Sequence, residues 1–181
     1  MNSRAKQRLP LGRAYGLLEP GPVVLLTTAR AGRADVMPMS WHTMLDFEPP
    51  LVGCVVSDRN YSYAALRSTR ECVLNIPTAK LARQVVGCGN TTGAKIDKFA
   101  RFRLTPRPAS LVRAPLIDEC YACLECRVVD TRMVRKYGLF VLEVVRAWID
   151  PSVKRPRTLH HLGWGEFMVA GRHLRVPSRM R

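Results

Sequence analysis

The sequence predicts a mainly β fold with minor helices, an antiparallel barrel or sandwich. Three observations carry this. Apolar or alternating runs of strand length recur along the chain. Only two or three short stretches read as helices. No regular strand–helix alternation marks βαβ units. With 181 residues, the simplest organisation is one domain large enough to bury a sizeable core.

The elements follow in order. Residues 1–17 read as a basic arm punctuated by Pro and Gly, and residues 18–181 as a single domain. Pro22 to Ala29 is a β-branched strand. Arg30-Ala31-Gly32-Arg33 is a glycine-containing hairpin turn. Asp35 to His42 is the return strand, which Pro38 demotes to an edge or bulged position. Phe47 to Pro50 is a loop, and Leu51 to Val56 is a buried strand. A polar hexapeptide, Ser57-Asp58-Arg59-Asn60-Tyr61-Ser62, then opens a short helix over Tyr63 to Ser68. Glu71 to Pro77 is a strand stopped by proline, after which Thr78 caps a helix over Leu81 to Val86. Gly87 to Gly93 reads as a glycine-rich loop, and Lys95 to Phe99 as a short helical turn. Ile117–Asp130 and Leu139–Ile149 are long alternating or apolar runs. Phe167 to Val176 reads as a terminal hairpin.

Composition narrows the function. The formal net charge is +15, carried by 23 Arg and 6 Lys. Such a chain suits nucleic acid, an acidic surface or anionic small molecules. The cations are spread along the whole chain, and no helix-turn-helix, finger or RNP signature is present. Nucleic acid is therefore not an expected partner. No apolar run approaches the roughly 20 residues that span a bilayer, so no membrane partner is expected either. The basic N-terminus lacks a following apolar segment, and a cytoplasmic location is expected. The six cysteines argue against a disulfide framework in that setting. Cys120, Cys123 and Cys126 have a spacing seen in iron–sulfur ligation. They lie in a strand-like run, however, where Cys120 and Cys126 face one way and Cys123 the other. Small apolar cysteines packed in a sheet fit better than a cluster.

Three polar groups end apolar elements: Ser40–Thr43, Ser57–Ser62 and Asn90–Lys98. The second is either an N-capped turn, with Asn60 or Ser62 as cap, or an anion site. The free N–H groups of a helix start favour negative charge, and Arg59 adds a planar fork. The third is not a P-loop, since Ala94 follows Gly93. It is not a dinucleotide fingerprint, since its glycines follow a helical segment. Ser40 lacks a nucleophile elbow and a spaced acid. His42, His160, His161 and His173 lack a metal-ligand pairing. Hydroxyls, amides and cations without an acid pair suit a phosphorylated planar ligand, on which Trp41, Tyr61 and Trp164 are candidates to stack.

The series Ser40-Trp41-His42-Thr43, Pro49-Pro50-Leu51-Val52-Gly53, Ser57 to Ser62, Asn75-Ile76-Pro77, Thr92-Gly93, Asp97-Lys98-Phe99 and His160-His161-Leu162-Gly163 resembles a known family. These are the flavin reductase-like proteins with an FMN-binding split barrel, in particular the flavoredoxin-like branch. The resemblance covers roughly residues 18 to 180. It implies a Greek-key barrel, a homodimer, and FMN held noncovalently near the subunit interface. Ser40, Trp41 and Thr43 would lie along the isoalloxazine. Ser57, Asn60, Tyr61 and Ser62 would hold the ribityl–phosphate end, and Thr92 and Lys98 would close over the cofactor. It further implies an oxidoreductase of the NAD(P)H:flavin reductase type. NADH or NADPH would be the donor, an unknown acceptor would take the electrons, and no catalytic acid, base or metal is needed. The alternative within the family is a flavoredoxin-like carrier without nicotinamide turnover. The cysteines around Cys123 have no counterpart in the family's pattern.

Overall fold

A computed structural model describes residues 6–18 and 20–177. The first five residues of the basic arm, Glu19 and the last four residues lie outside the described residues. The remainder of the arm contains a strand, β1 (Gln7–Leu9), a 3-10 turn at Leu11–Arg13 and the one-turn helix α1 (Tyr15–Leu18). The hairpin β2 (Val24–Arg30) and β3 (Arg33–Met39) follows, then the hairpin β4 (His42–Phe47) and β5 (Pro50–Val55). Helix α2 (Tyr61–Thr69) leads to β6 (Glu71–Ile76). A 3-10 turn at Ala79–Leu81 runs into α3 (Ala82–Gly89), and α4 (Lys98–Phe102) precedes the short pair β7 (Pro106–Arg107) and β8 (Leu116–Ile117). Strand β9 (Ala122–Asp130), the turn α5 (Val134–Tyr137) and β10 (Leu139–Ile149) complete the main sheet. A small separate hairpin, β11 (Leu159–Gly163) and β12 (Glu166–Val169), comes last.

The main sheet runs β3-β2-β6-β9-β10-β5-β4, antiparallel throughout. Strands β3 and β4 stand at its two ends, yet only Ser40 and Trp41 separate them in sequence. The sheet must therefore curl until its ends meet, and no ladder joins them among the described residues. That is an antiparallel barrel split along one seam. Strands β5 and β6 are consecutive in the chain but separated in the sheet by the β9–β10 pair, the long connection of a Greek key, whose helix α2 packs near β2 and β3. Strand β10 is 11 residues long and serves three partners. It pairs with β9 along most of its length, with β5 through Leu139–Glu143, and with β1 through Ala147–Ile149.

Strand alternation divides the core in two. Val24, Leu26, Cys72, Leu74, Leu124, Cys126, Phe140 and Leu142 fill the barrel. Leu25, Val73 and Cys123 point outward, beneath α3, α4 and residues 104–120. This outer layer is stitched by buried polar groups. Asn75 Nδ2 donates to the Leu25 carbonyl at 3.0 Å, and its Oδ1 accepts from Ile117 N at 2.8 Å. Glu125, fully buried, accepts from Ser110 N, Leu111 N and Trp148 Nε1.

Several expectations need correction. The return strand stops at Met39, and His42–Phe47 is a separate edge strand. Gly87 to Gly89 belong to α3 rather than to a loop. The helical turn placed at Lys95 to Phe99 is α4, Lys98–Phe102. Ile117–Asp130 is broken into β8 and β9. The last hairpin begins at Leu159, and residues 171–177 carry no regular structure. Cys120 precedes β9 and packs with Cys123 in the outer layer, while Cys126 faces the barrel. All six cysteines are buried and unbridged. Burial pushes the Cys54 and Cys120 thiols well up and the Cys123 thiol to about 12, so they stay protonated and inert.

Candidate functional site

A cleft of about 180 Å³ opens where β3, the start of α2, the end of α3 and the loop into α4 converge. Its walls carry Asp35, Arg59, Asn60, Tyr61, Ser62, Thr92 and Lys98, with Pro38 and Gly89 beside them. Pro38 and Gly89 also border a second, mostly apolar pocket of about 270 Å³, with Ser40, Val85, His161 and Phe167. Neither alone reaches the ~300 Å³ at which ligand pockets commonly begin. Side by side, they form one groove with a polar end and an apolar end.

The polar end is built by local chain geometry. Asn60 occupies the cap position of α2 in extended conformation, but its side chain makes no cap bond. It turns back, and Oδ1 accepts from Ser57 N at 3.1 Å. Ser57 Oγ in turn accepts from Arg59 N at 3.3 Å. The hexapeptide therefore folds on itself; Tyr63 N donates to the Asn60 carbonyl at 3.0 Å, and the Tyr61 and Ser62 N–H groups at the helix start have no intrahelical acceptor. Ser62 is buried, and its Oγ donates to Asp35 Oδ2 at 2.7 Å. Lys98 is only 4 % exposed. Its Nζ donates to the Val36 carbonyl at 2.8 Å and stands 3.7 Å from Asp35 Oδ1. Asp97 caps α4 through Ala100 N at 3.1 Å, which fixes the Lys98 backbone next door.

The loop from Asn90 to Asp97 is pressed onto this floor. Arg33 Nη2 donates to the Gly93 carbonyl, and the Arg33 guanidinium lies 5.7 Å from the Tyr61 ring centroid. The neighbouring glycines serve packing. A Cβ on Gly87 would sit 2.4 Å from the Phe102 ring, and one on Gly89 3.1 Å from Pro38. Cys88 borders the cleft, but burial raises its thiol to about 11, so it is no nucleophile at neutral pH.

Of the nine expected site residues, Asn60, Tyr61, Ser62, Thr92 and Lys98 share the polar cleft. Ser40 lies in the adjoining apolar pocket. Thr43 faces a different pocket of about 320 Å³, with Tyr15, His42 and Phe47. Ser57 is exposed beyond the cleft rim, and Trp41 is 72 % exposed on the β3–β4 connection. Trp164, the other candidate for stacking, is fully exposed at the tip of the β11–β12 hairpin. In the third pocket His42 Nε2 lies 2.7 Å from the Pro22 carbonyl, and burial lowers its pKa from 6.5, leaving a neutral ring. Among the described residues no cluster of His, Cys, Asp or Glu is placed to hold a metal ion. The sequence reading missed Asp35 altogether. Its one available signal was a carboxylate in a strand otherwise built of apolar residues from Ala34 to Met39.

The fold and this groove define a flavin reductase-like protein. Residues 17–165 match the model of the flavin reductase like domain, and the chain belongs to that family. A protein of Archaeoglobus fulgidus is 34 % identical over 113 residues, 62 % of this chain; the chain spans 64 % of that relative's length. The reductase component of a 4-nitrophenol 4-monooxygenase/4-nitrocatechol 2-monooxygenase from Rhodococcus opacus is 30 % identical, over 81 % of this chain and 74 % of that one. The solved FMN-binding domain of a flavin reductase-like enzyme from Shewanella baltica superposes with a TM-score of 0.92 at 24 % identity, covering 98 % of this chain and all of that one. Flavoredoxin of Desulfovibrio vulgaris superposes with a TM-score of 0.79 at 23 % identity, over 86 % and 90 % of the two chains.

Proposed function

We propose that this chain binds FMN in the two-ended groove and acts as an NAD(P)H-dependent flavin reductase. One observation carries the reading. A polar cleft at a helix start adjoins an apolar pocket across Pro38 and Gly89, in a chain of the flavin reductase-like family. An amphiphilic ligand with one anionic and one flat apolar end matches that arrangement. The donor set fits FMN as well. The α2 N-terminus offers N–H groups and a favourable dipole to a phosphate. Asn60 keeps both Nδ2 protons available because Oδ1 is the atom engaged by Ser57. Arg59 and Thr92 line the same cleft. Ser40, Val85 and Phe167 offer the flatter, drier surface that an isoalloxazine needs.

Bound FMN would supply the redox chemistry, hydride acceptance from NADH or NADPH and electron delivery to an acceptor. The chain's own residues bind and orient. Asn60, Tyr61 and Thr92 hold the phosphate and ribityl end, and the buried Asp35–Lys98–Ser62 cluster keeps the floor in shape. Cys88, protonated, contributes no competing thiolate. A homodimer is part of the proposal. Trp41, Leu45 and Phe47 are exposed on and beside β4, an apolar strip at the barrel seam that a second copy would cover. Trp41 and Thr43 would then approach a flavin only through that interface. Among the described residues no helix is long and apolar enough to cross a membrane.

The flavoredoxin likeness favours a second reading, an electron carrier that does not turn over nicotinamide. Anaerobic titration of the FMN-loaded protein with NADH, then NADPH, separates the two. Bleaching of the flavin absorbance by one equivalent of either nucleotide is the expected result. A flavin bleached by dithionite but by neither nucleotide establishes the carrier.

A further inference from the structure

The anion end of the groove contains an acid. Asp35 is 5 % exposed and lines the cleft together with Ser62 and Lys98. Its two oxygens are both engaged: Oδ2 takes the Ser62 proton at 2.7 Å, and Oδ1 faces Lys98 Nζ at 3.7 Å. A serine hydroxyl has one proton, so Ser62 directed at Asp35 has none to give a phosphate. A lysine paired with a carboxylate presents little net charge to a third group, and burial leaves water little room to screen the exchange. The Lys98 ammonium is further held by the Val36 carbonyl at 2.8 Å. The other charges in the area are Arg59, exposed on the cleft rim, and Arg33, turned toward Gly93 and Tyr61. Asp35 therefore takes up the one buried cation and the one buried hydroxyl that the cleft would otherwise direct at an anion.

We propose that Asp35 is a specificity-determining residue, which weakens the groove's preference for phosphorylated over unphosphorylated flavin by cancelling Lys98 and occupying Ser62. The inference rests on the flavin reading above and refines it. Phosphate recognition is left to the α2 N–H groups, Asn60, Thr92 and Arg59. Riboflavin, which lacks the phosphate, loses those contacts but meets no unsatisfied buried cation. The wild-type cleft is thus tolerant of both flavins.

The test measures dissociation constants for FMN and riboflavin with wild type, Asp35→Asn, Lys98→Met and the double variant. Asparagine is nearly isosteric and still accepts from Ser62, while leaving Lys98 uncompensated. The FMN-to-riboflavin affinity ratio is expected to rise at least about tenfold in Asp35→Asn, which corresponds to about 1.4 kcal/mol. It is expected to fall in Lys98→Met and to return near the wild-type value in the double variant. A merely structural role for Asp35 shifts both affinities together and leaves the ratio within twofold, which overturns the inference. A double variant whose ratio stays as low as that of Lys98→Met also overturns it, because Lys98 would then serve the phosphate directly. That comparison holds even where Asp35→Asn fails to fold, since the double variant removes both buried charges together. Wild type that binds neither flavin overturns the flavin reading itself, and this refinement with it.

Discussion

Replacing Gly93 with alanine is expected to weaken FMN binding at least about tenfold while leaving the barrel folded. A Cβ at that position would lie 2.1 Å from Asp35 Oδ1 and 2.7 Å from the Tyr61 ring. Neither neighbour can yield cheaply. Asp35 is held between Ser62 and Lys98, and Tyr61 begins α2 with the Arg33 guanidinium beside its ring. The loop must therefore lift, and its carbonyl must part from Arg33. Overpacking of this kind costs about 1–3 kcal/mol. The loss falls on the cleft wall rather than on the barrel, whose interior is lined by other residues. FMN titration and thermal unfolding, measured side by side, check both halves. Unchanged flavin affinity would mean that the loop does not shape the site.

Glu125→Leu is expected to destabilise the fold by about 1–3 kcal/mol. Glu125 is fully buried on the outward face of β9. It accepts from Ser110 N at 3.0 Å, from Leu111 N at 2.6 Å and from Trp148 Nε1 at 2.7 Å. Leucine would strand all three donors; a donor cut off from water costs about 1–3 kcal/mol, but Ser110 and Leu111 are exposed and water can take over part of their bonding. The strain would concentrate where residues 104–120 pack over the sheet, the segment that covers Val73 and Cys123. Glu125→Gln keeps one acceptor oxygen and should cost roughly half as much. Urea unfolding of the two variants tests the order. A leucine variant as stable as wild type would show that the segment is not anchored there.

Where the sequence was readable, the reason is local. Strand β10 alternates half-buried and buried residues from Leu139 to Val144 and stays largely apolar beyond, and its bounds were legible from Leu139 to Ile149. Strand β6 is an apolar run ended by Pro77, and β5 an apolar run opened by Pro50. Strand β4 carried no such signal. It is an edge strand with an exposed face, so His42-Thr43-Met44-Leu45-Asp46-Phe47 shows neither a clean period nor a turn before it. Helix α3 was cut short because Gly87 and Gly89 look like loop residues. Their place inside a helix is set by Phe102 and Pro38, which lie far away in sequence. The same distance hid Asp35, whose meaning depends on Lys98, brought to it by the packing of α4 against β3. Motif order brought Asn60, Tyr61, Ser62, Thr92 and Lys98 together as one group. It had no means of separating Thr43, which the turn between β3 and β4 sends to another pocket.

Fluorescence titration of FMN into the flavin-free protein bears most directly on the proposed site, run with wild type and with Asn60→Leu. Leucine removes both the amide protons offered to the phosphate and the Ser57 contact that shapes the hexapeptide. One FMN per chain with quenched flavin emission in wild type, and affinity reduced at least about tenfold in the variant, is the expected result. Absence of binding by the wild type, or equal affinity in the two proteins, would contradict a flavin site at the start of α2.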